Sequence, residues 1–149
     1  MPLGFLRRLL LSTGHTDLQP EDARSAISAV LVMAARADGH YDAAEQAMID
    51  QVLAKRFGLT PELTKGLREE GEAAEAEAVD LYQFSSAIKR AIPHDERVAI
   101  LEEMWGIVLA DGVRDALEDS LMRHMTDRLG LADMDSAKAR QRVIAAKGK

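Results

Sequence analysis

The stretch Ala37-Asp38-Gly39-His40-Tyr41-Asp42-Ala43-Ala44-Glu45 returns later in the chain as Ala110-Asp111-Gly112-Val113-Arg114-Asp115-Ala116-Leu117-Glu118. Six of these nine positions are identical in the two copies. The match continues to Arg56-Phe57-Gly58-Leu59 and Arg128-Leu129-Gly130-Leu131, with one residue fewer between the two blocks in the second copy. Each copy therefore predicts a helix, a short acidic turn, a second helix and a glycine stop, which is a duplicated helical hairpin.

The composition supports a helical protein and excludes several kinds of site. The chain has 149 residues, of which 47% are apolar, 30% charged and only 4% aromatic, a balance that favours helices over a β-sandwich or barrel. The net charge of −6 argues against bulk attraction to nucleic acid. There is no cysteine, which excludes disulfides, thiolate metal sites and a cysteine nucleophile and fits a cytoplasmic protein.

Apolar residues recur at helical spacing along most of the chain. Ile27, Val30, Leu31 and Ala34 form one predicted stripe, and Leu101, Trp105 and Val108 form another, which places Trp105 in the core. Thr60-Pro61 is a helix start, and the Glu- and Ala-rich stretch 69–78 is predicted to be a solvated helix end or a connector. No convincing strand is found. We expect an all-α, compact bundle of about seven or eight helices, built from two hairpins related by a pseudo-two-fold axis.

The predicted domain organisation separates a short leading segment from one helical domain. Residues 1–19 are an N-terminal helix and linker, and residues 20–149 are the domain, with internal repeats at about 20–59 and 93–131. In Met1–Leu11, Arg7 and Arg8 interrupt an apolar run, which is unlike a secretory signal. This segment is a helix docked on its own domain, a contact for a partner or a membrane surface, or a targeting signal.

The acidic turn has the spacing Asp-Gly-x-x-Asp-x-x-Glu, which matches positions 5, 6, 9 and 12 of an EF-hand loop. The oxygen ligands of positions 1 and 3 are missing, because Ala34 and Arg36 stand there in the first copy, and Ile107 and Leu109 in the second. A complete EF-hand is therefore excluded in both copies. If the two-fold axis brought the turns together, six carboxylates would converge, enough for one or two divalent cations such as Ca²⁺.

Helix capping explains most of the same residues without a cation. Asp42 and Asp115 are predicted N-caps, with Glu45 and Glu118 three residues later in an acidic capping box. Asp38 and Asp111 are explained least, because an anion is disfavoured at a helix C-terminus. Capping alone and capping combined with cation or partner binding both remain open.

The doubled Ala-Asp-Gly-x-x-Asp-x-x-Glu motif, with helices on both sides and Gly-Leu closing each half, resembles the tellurite-resistance protein TerB family, especially its TerB-like bacterial branch. The resemblance covers roughly residues 20–143 and implies an all-helical fold with an acidic surface proposed to bind a metal such as calcium. A related domain accompanies J-domains in co-chaperones. The family's acidic positions carried over to this chain are Asp38, Asp42, Glu45, Asp111, Asp115 and Glu118.

The functional expectation is a non-enzymatic, cytoplasmic helical module that acts as an adaptor in a tellurite or stress response. It would bind a protein partner and no nucleic acid, and its acidic surface would bind a divalent cation. The alternative is an interaction scaffold without an ion, similar to a co-chaperone partner domain, in which the acidic motifs only cap helices. An enzyme is disfavoured because no histidine ligand recurs and no base or phosphate-binding arginine is identifiable by motif.

Overall fold

The computed structural model describes residues 20–37, 39–78, 81–110 and 116–147. The helices are α1 (Pro20–Arg36), α2 (Ala43–Phe57), α3 (Pro61–Glu77), α4 (Tyr82–Ala91), α5 (His94–Val108), α6 (Ala116–Arg128) and α7 (Asp133–Lys147). These ranges contain seven helices and no strand, so the predicted all-α class is confirmed. None of the seven is long and apolar enough to cross a membrane. The predicted N-terminal segment 1–19, together with Asp38, Asp111 and Asp115, lies outside the described residues.

Helix α1 is the centre of the bundle. The predicted stripe of Ile27, Val30, Leu31 and Ala34 is buried, but so are the residues between its members, including Ala26, Ala29, Val32 and Ala35. Helices α3, α4 and α5 all pack against α1. A helix that is buried on nearly every side is expected at the core of a bundle, and the small alanines allow its neighbours to approach closely.

The stretch 69–78 is a helix end, as predicted, but it is solvated on only one face. Helix α3 continues through this stretch to Glu77, and Gly71 and Ala74 are buried against α1. A Cβ atom on Gly71 would lie 2.2 Å from the Ser28 hydroxyl oxygen and 2.8 Å from the Ser28 carbonyl carbon. The two helices therefore meet through small residues, and a search for large apolar side chains misses such a face.

The two glycine stops have the same structure, as the repeat predicts. Gly58 has φ 62° and Gly130 has φ 71°, both in the left-handed region. The next amide, that of Leu59 or Leu131, donates to the carbonyl five residues earlier, at 3.3 Å to Ala54 and 3.0 Å to Thr126. These are the bonds that close a Schellman motif.

The last helix extends the repeat. Asp135, in the first turn of α7, accepts a hydrogen bond from the backbone of Ala132 at 2.9 Å, and α7 ends at Lys147. Helix α7 packs on α5, as α3 packs on α1. Each half is thus a three-helix unit rather than only a hairpin: α1–α3 forms the first unit and α5–α7 the second, and α4 connects them.

Candidate functional site

The first acidic turn is closed by a reciprocal capping box at the start of α2. The amide of Glu45 donates to Oδ1 of Asp42 at 3.1 Å, and the amide of Asp42 donates to Oε1 of Glu45 at 3.3 Å. Both bonds satisfy amides that a helix start leaves without partners. The predicted capping role of these two residues is therefore confirmed.

The structure describes three of the six acidic residues predicted as a cation site, and it does not bring these three together. Asp42 and Glu45 lie together at the first turn, whereas Glu118 is buried, with 3% exposure, in the first turn of α6. Asp38, Asp111 and Asp115 are outside the described residues. Within ranges 20–37, 39–78, 81–110 and 116–147, no three His, Asp or Glu side chains form a group that could hold a metal ion. The described part of the turns thus does not by itself constitute a cation site.

A buried arginine on α3 joins α3 to α2 next to the first acidic turn. Arg68 Nε donates to Asp50 on α2 at 2.7 Å, and another nitrogen of Arg68 donates to Glu72 at 2.8 Å. The hydroxyl of Tyr41 and the side-chain amide of Gln46 donate to the same Glu72 oxygen. The turn is thereby held to α2 and α3 by charged hydrogen bonds, the stronger kind.

The environment of this network shifts two pKa values. Burial, together with the hydrogen bond and negative charge of Glu72, raises the pKa of the Tyr41 hydroxyl well above its usual range. Burial alone would lower the pKa of Arg68, but the hydrogen bonds and charges of Asp50 and Glu72 outweigh it and raise that pKa. Tyr41 therefore stays neutral and Arg68 stays charged at physiological pH.

Arg36, the last residue of α1, completes the cluster. Its guanidinium lies 4.6 Å from the centre of the Tyr41 ring and 3.3 Å from Oε1 of Glu75. A cation over an aromatic face is stabilising, and a cation at a helix C-terminus also suits the helix dipole. Sequence reasoning missed this cluster, although the Arg68-Glu72 spacing of four residues is a signal for a pair on one helix face.

In the second unit, an aromatic side chain makes the contact between α5 and α7. Trp105, 6% exposed, donates from its indole nitrogen to the Ser136 hydroxyl at 3.0 Å, which confirms its predicted core position. The Arg140 guanidinium lies 5.7 Å from the indole centre. A shallow cavity of about 300 Å³ opens beside these residues, with Arg123 and Asp119 at its border.

Helix α7 carries apolar side chains on its outer face. Met134 is 62% exposed and Ile144 is 45% exposed, and the exposed residues Ala137 and Gln141 lie between them at spacings of three and four. These four residues, which we call the α7 stripe, share one side of the helix. Helix α7 has four basic and two acidic residues, whereas α3 has two basic and six acidic. The two third helices thus have opposite charge.

Comparison with known proteins gives one family. The family model described as "Tellurite resistance protein TerB" matches residues 24–141, which is most of the chain. Neither the curated proteins nor the solved structures contain a match. The matched range extends from the second turn of α1 into α7, and therefore includes both three-helix units.

Proposed function

The chain belongs to the tellurite-resistance TerB family, and from this premise we propose that it is a non-enzymatic binding module. It acts as an adaptor in a cytoplasmic tellurite or stress response by holding a protein partner. The α7 stripe is the observation that carries this proposal. Two large apolar side chains, at 62% and 45% exposure on one helix face, give a partner the apolar anchors that protein interfaces use.

The charge of α7 indicates the chemistry of that partner. Lys138 borders the stripe, and Arg142 lies one turn further along α7 on the same side, both exposed. Arg142 contacts Glu102, but this pair is half exposed and therefore weak. The surface fits an acidic amphipathic segment whose apolar residues cover Met134 and Ile144 while its carboxylates reach the basic rim.

Replacement of the stripe tests the adaptor proposal in cells. The double variant Met134→Asp, Ile144→Asp should fail to restore tellurite tolerance to cells that lack the gene, because two anionic side chains would replace the apolar anchors and weaken partner binding about tenfold or more. Leu63→Asp is the matched control, since Leu63 is 61% exposed but lies on α3. Both proteins are first checked for unchanged melting temperature. Full tolerance with the double variant would overturn the proposal.

The proposal that the protein is not an enzyme rests on described carboxylates that are already engaged in ion pairs. Asp50 and Glu72 hold Arg68, and Glu103 holds Arg56. Carboxylates neutralised in this way serve the fold. We expect no turnover of a panel of phosphoesters in the presence of Mg²⁺ or Mn²⁺. Metal-dependent hydrolysis that disappears in the Asp42→Ala variant would contradict a non-enzymatic role.

A divalent cation at the acidic turns is a second element of the proposal. It is supported by the exposure of Asp42, whose cap uses Oδ1 and leaves Oδ2 out of that bond. A carboxylate has about four lone-pair sites, so capping and cation binding are compatible. Asp38 follows α1 in the sequence at the same turn, and the family resemblance assigns it the same role.

Thermal denaturation tests the cation directly. Added Ca²⁺ should raise the melting temperature, since a ligand that binds only the folded state stabilises it by RT ln(1 + [L]/Kd). The variant Asp38→Asn, Asp111→Asn should lose this shift, because it keeps side-chain size and removes two candidate ligands. A native melting temperature that does not move in millimolar Ca²⁺, Mg²⁺, Mn²⁺ or Zn²⁺ would refute cation binding and leave the adaptor proposal intact.

A further inference from the structure

A groove lies between α2, α5 and α7, and its residue on α7 is Val143, which does not belong to the α7 stripe. Its volume is about 510 Å³. Val52, Ala99 and Val143, all partly buried, provide its apolar lining. Val52 and Val143 also pack against the main hydrophobic core, so the groove is an open edge of that core.

Two ion pairs border the groove and differ in burial. Arg56 Nε donates to both carboxylate oxygens of Glu103 at 2.9 and 3.1 Å, and burial raises the pKa of Glu103 although Arg56 opposes this. Arg142 contacts Glu102 at 2.6 Å, with the two side chains 51% and 37% exposed. The Arg56 pair belongs to the fold, whereas Glu102 can accept a second cation from solvent.

We propose that the N-terminal segment Met1–Leu11 of the same chain docks in this groove. The segment precedes α1 in the sequence, and the start of α1 lies near the groove. The Arg24 guanidinium lies 4.8 Å from the centre of the Phe57 ring, so the first turns of α1 are at the end of α2 where Arg56 borders the groove. Pro20 is only about 6 Å further along α1, at 1.5 Å per residue.

The linker is long enough to reach. Residues 12–19 lie between the segment and α1, and eight extended residues span at most about 26–29 Å. A helix is about 10–12 Å across with its side chains. The segment can therefore pass around the end of α2 and enter the groove without any change in α1.

The chemistry of the segment suits the groove. Leu3, Leu6 and Leu10 have the i, i+3, i+7 spacing of one helix face, which would cover the lining of Val52, Ala99 and Val143. Arg7 or Arg8 would then lie on the α5 side of the rim, near Glu102, rather than on the α2 side, where Lys55 lines the groove. Burial of leucine side chains at an open edge of the core supplies the driving force, and the charged rim sets the orientation.

Site-directed cross-linking in the full chain tests this docking, because the protein has no cysteine of its own. The pair Leu10→Cys, Ala99→Cys should be joined by a short bismaleimide at least about tenfold faster than Leu10→Cys, Tyr82→Cys, since docking raises the effective concentration of one thiol near the other. Tyr82 is 59% exposed on α4 and Ala99 is partly buried, so a thiol at position 82 would be at least as accessible to the reagent. The rate should not depend on protein concentration.

Two further variants make the result specific. Adding Leu6→Asp to the Ala99 pair should slow cross-linking to the Tyr82 level, because a carboxylate is costly to bury. Adding Ser12→Asp, just outside the apolar run, should leave it fast. Three outcomes would overturn the docking: equal rates for the two pairs, linkage only between two molecules, or faster linkage of Leu10→Cys to Met134→Cys. Faster linkage to Met134 would place the segment on the α7 stripe and count against the adaptor surface as well.

Discussion

The two three-helix units share their helix stops but differ in how the third helix meets the first. In the first unit α3 approaches the backbone of α1 through Gly71 on Ser28, and Ser25 donates to Glu70 at 2.5 Å. In the second unit the large Trp105 of α5 separates that helix from α7 and meets Ser136. The duplication thus preserves the glycine stops at Gly58 and Gly130, while the packing surfaces of the two copies have diverged.

The two units also differ in how deeply their basic side chains are buried. The first unit buries an arginine, Arg68, among carboxylates, and its acidic third helix closes the core. In the second unit Arg140 lies partly buried over Trp105, and Arg142 is half exposed in its pair with Glu102. The first unit therefore encloses an arginine among its helices, whereas the second exposes apolar and basic side chains on α7.

The largest expected effect contrasts these two arginines. Arg68→Met should lower the free energy of unfolding by about 3 kcal/mol, because it leaves Asp50 and Glu72 without their buried partner. The matched change Arg142→Met should cost less than about 1 kcal/mol, since its pair is exposed. Urea denaturation of both variants measures the difference. Equal losses would mean that the two units are stabilised in the same way.

The next effect concerns the close contact of α1 and α3. Gly71→Ala should destabilise by about 1–3 kcal/mol, because its Cβ would overlap Ser28 and force the helices apart. Gly66→Ala in the same helix meets no atom within 4 Å and should stabilise by up to about 1 kcal/mol through helix propensity. Thermal unfolding distinguishes the two. A neutral Gly71→Ala would show that the helices can separate without loss.

A smaller effect is expected at the first capping box. In chelator, Asp42→Ala should cost about 1 kcal/mol, because the amide of Glu45 loses its acceptor, and the loss should be larger with Ca²⁺ if the same carboxylate binds the cation. Asp42→Asn should be nearly neutral, as asparagine caps about as well. The measurement is chemical denaturation with chelator and with Ca²⁺. A loss that appeared only with Ca²⁺ would assign Asp42 to cation binding rather than to capping.

The smallest effect tests the charges that capping does not explain. In chelator, Asp38→Asn and Asp111→Asn should each stabilise by about 0.3 kcal/mol, because each removes an anion shortly after a helix C-terminus. Precise melting curves of the single variants compare the two turns. Destabilisation in chelator would indicate that these carboxylates have structural partners in the folded domain.

Local signals in the sequence predicted the elements but not their contacts. Gly58 and Thr60 were predicted as a stop and a cap, and both are confirmed, because their hydrogen bonds close within a few residues. The buried face of stretch 69–78 was missed because Gly71 and Ala74 are small, and small residues make an interface only where a partner such as Ser28 is also small. The Arg68-Asp50 pair joins residues 18 apart on two helices, so no local pattern indicates it.

By itself, the sequence determined the all-α class, the glycine stops and the membership that the family match confirms. Helix periodicity and turn chemistry act over a few residues, and a linear pattern records them directly. Only the tertiary structure decided that α1 is surrounded, that Arg68 is buried behind the first turn and that the α7 stripe remains exposed. Which side chains are buried depends on which helices pack together, and a local sequence pattern does not contain that information.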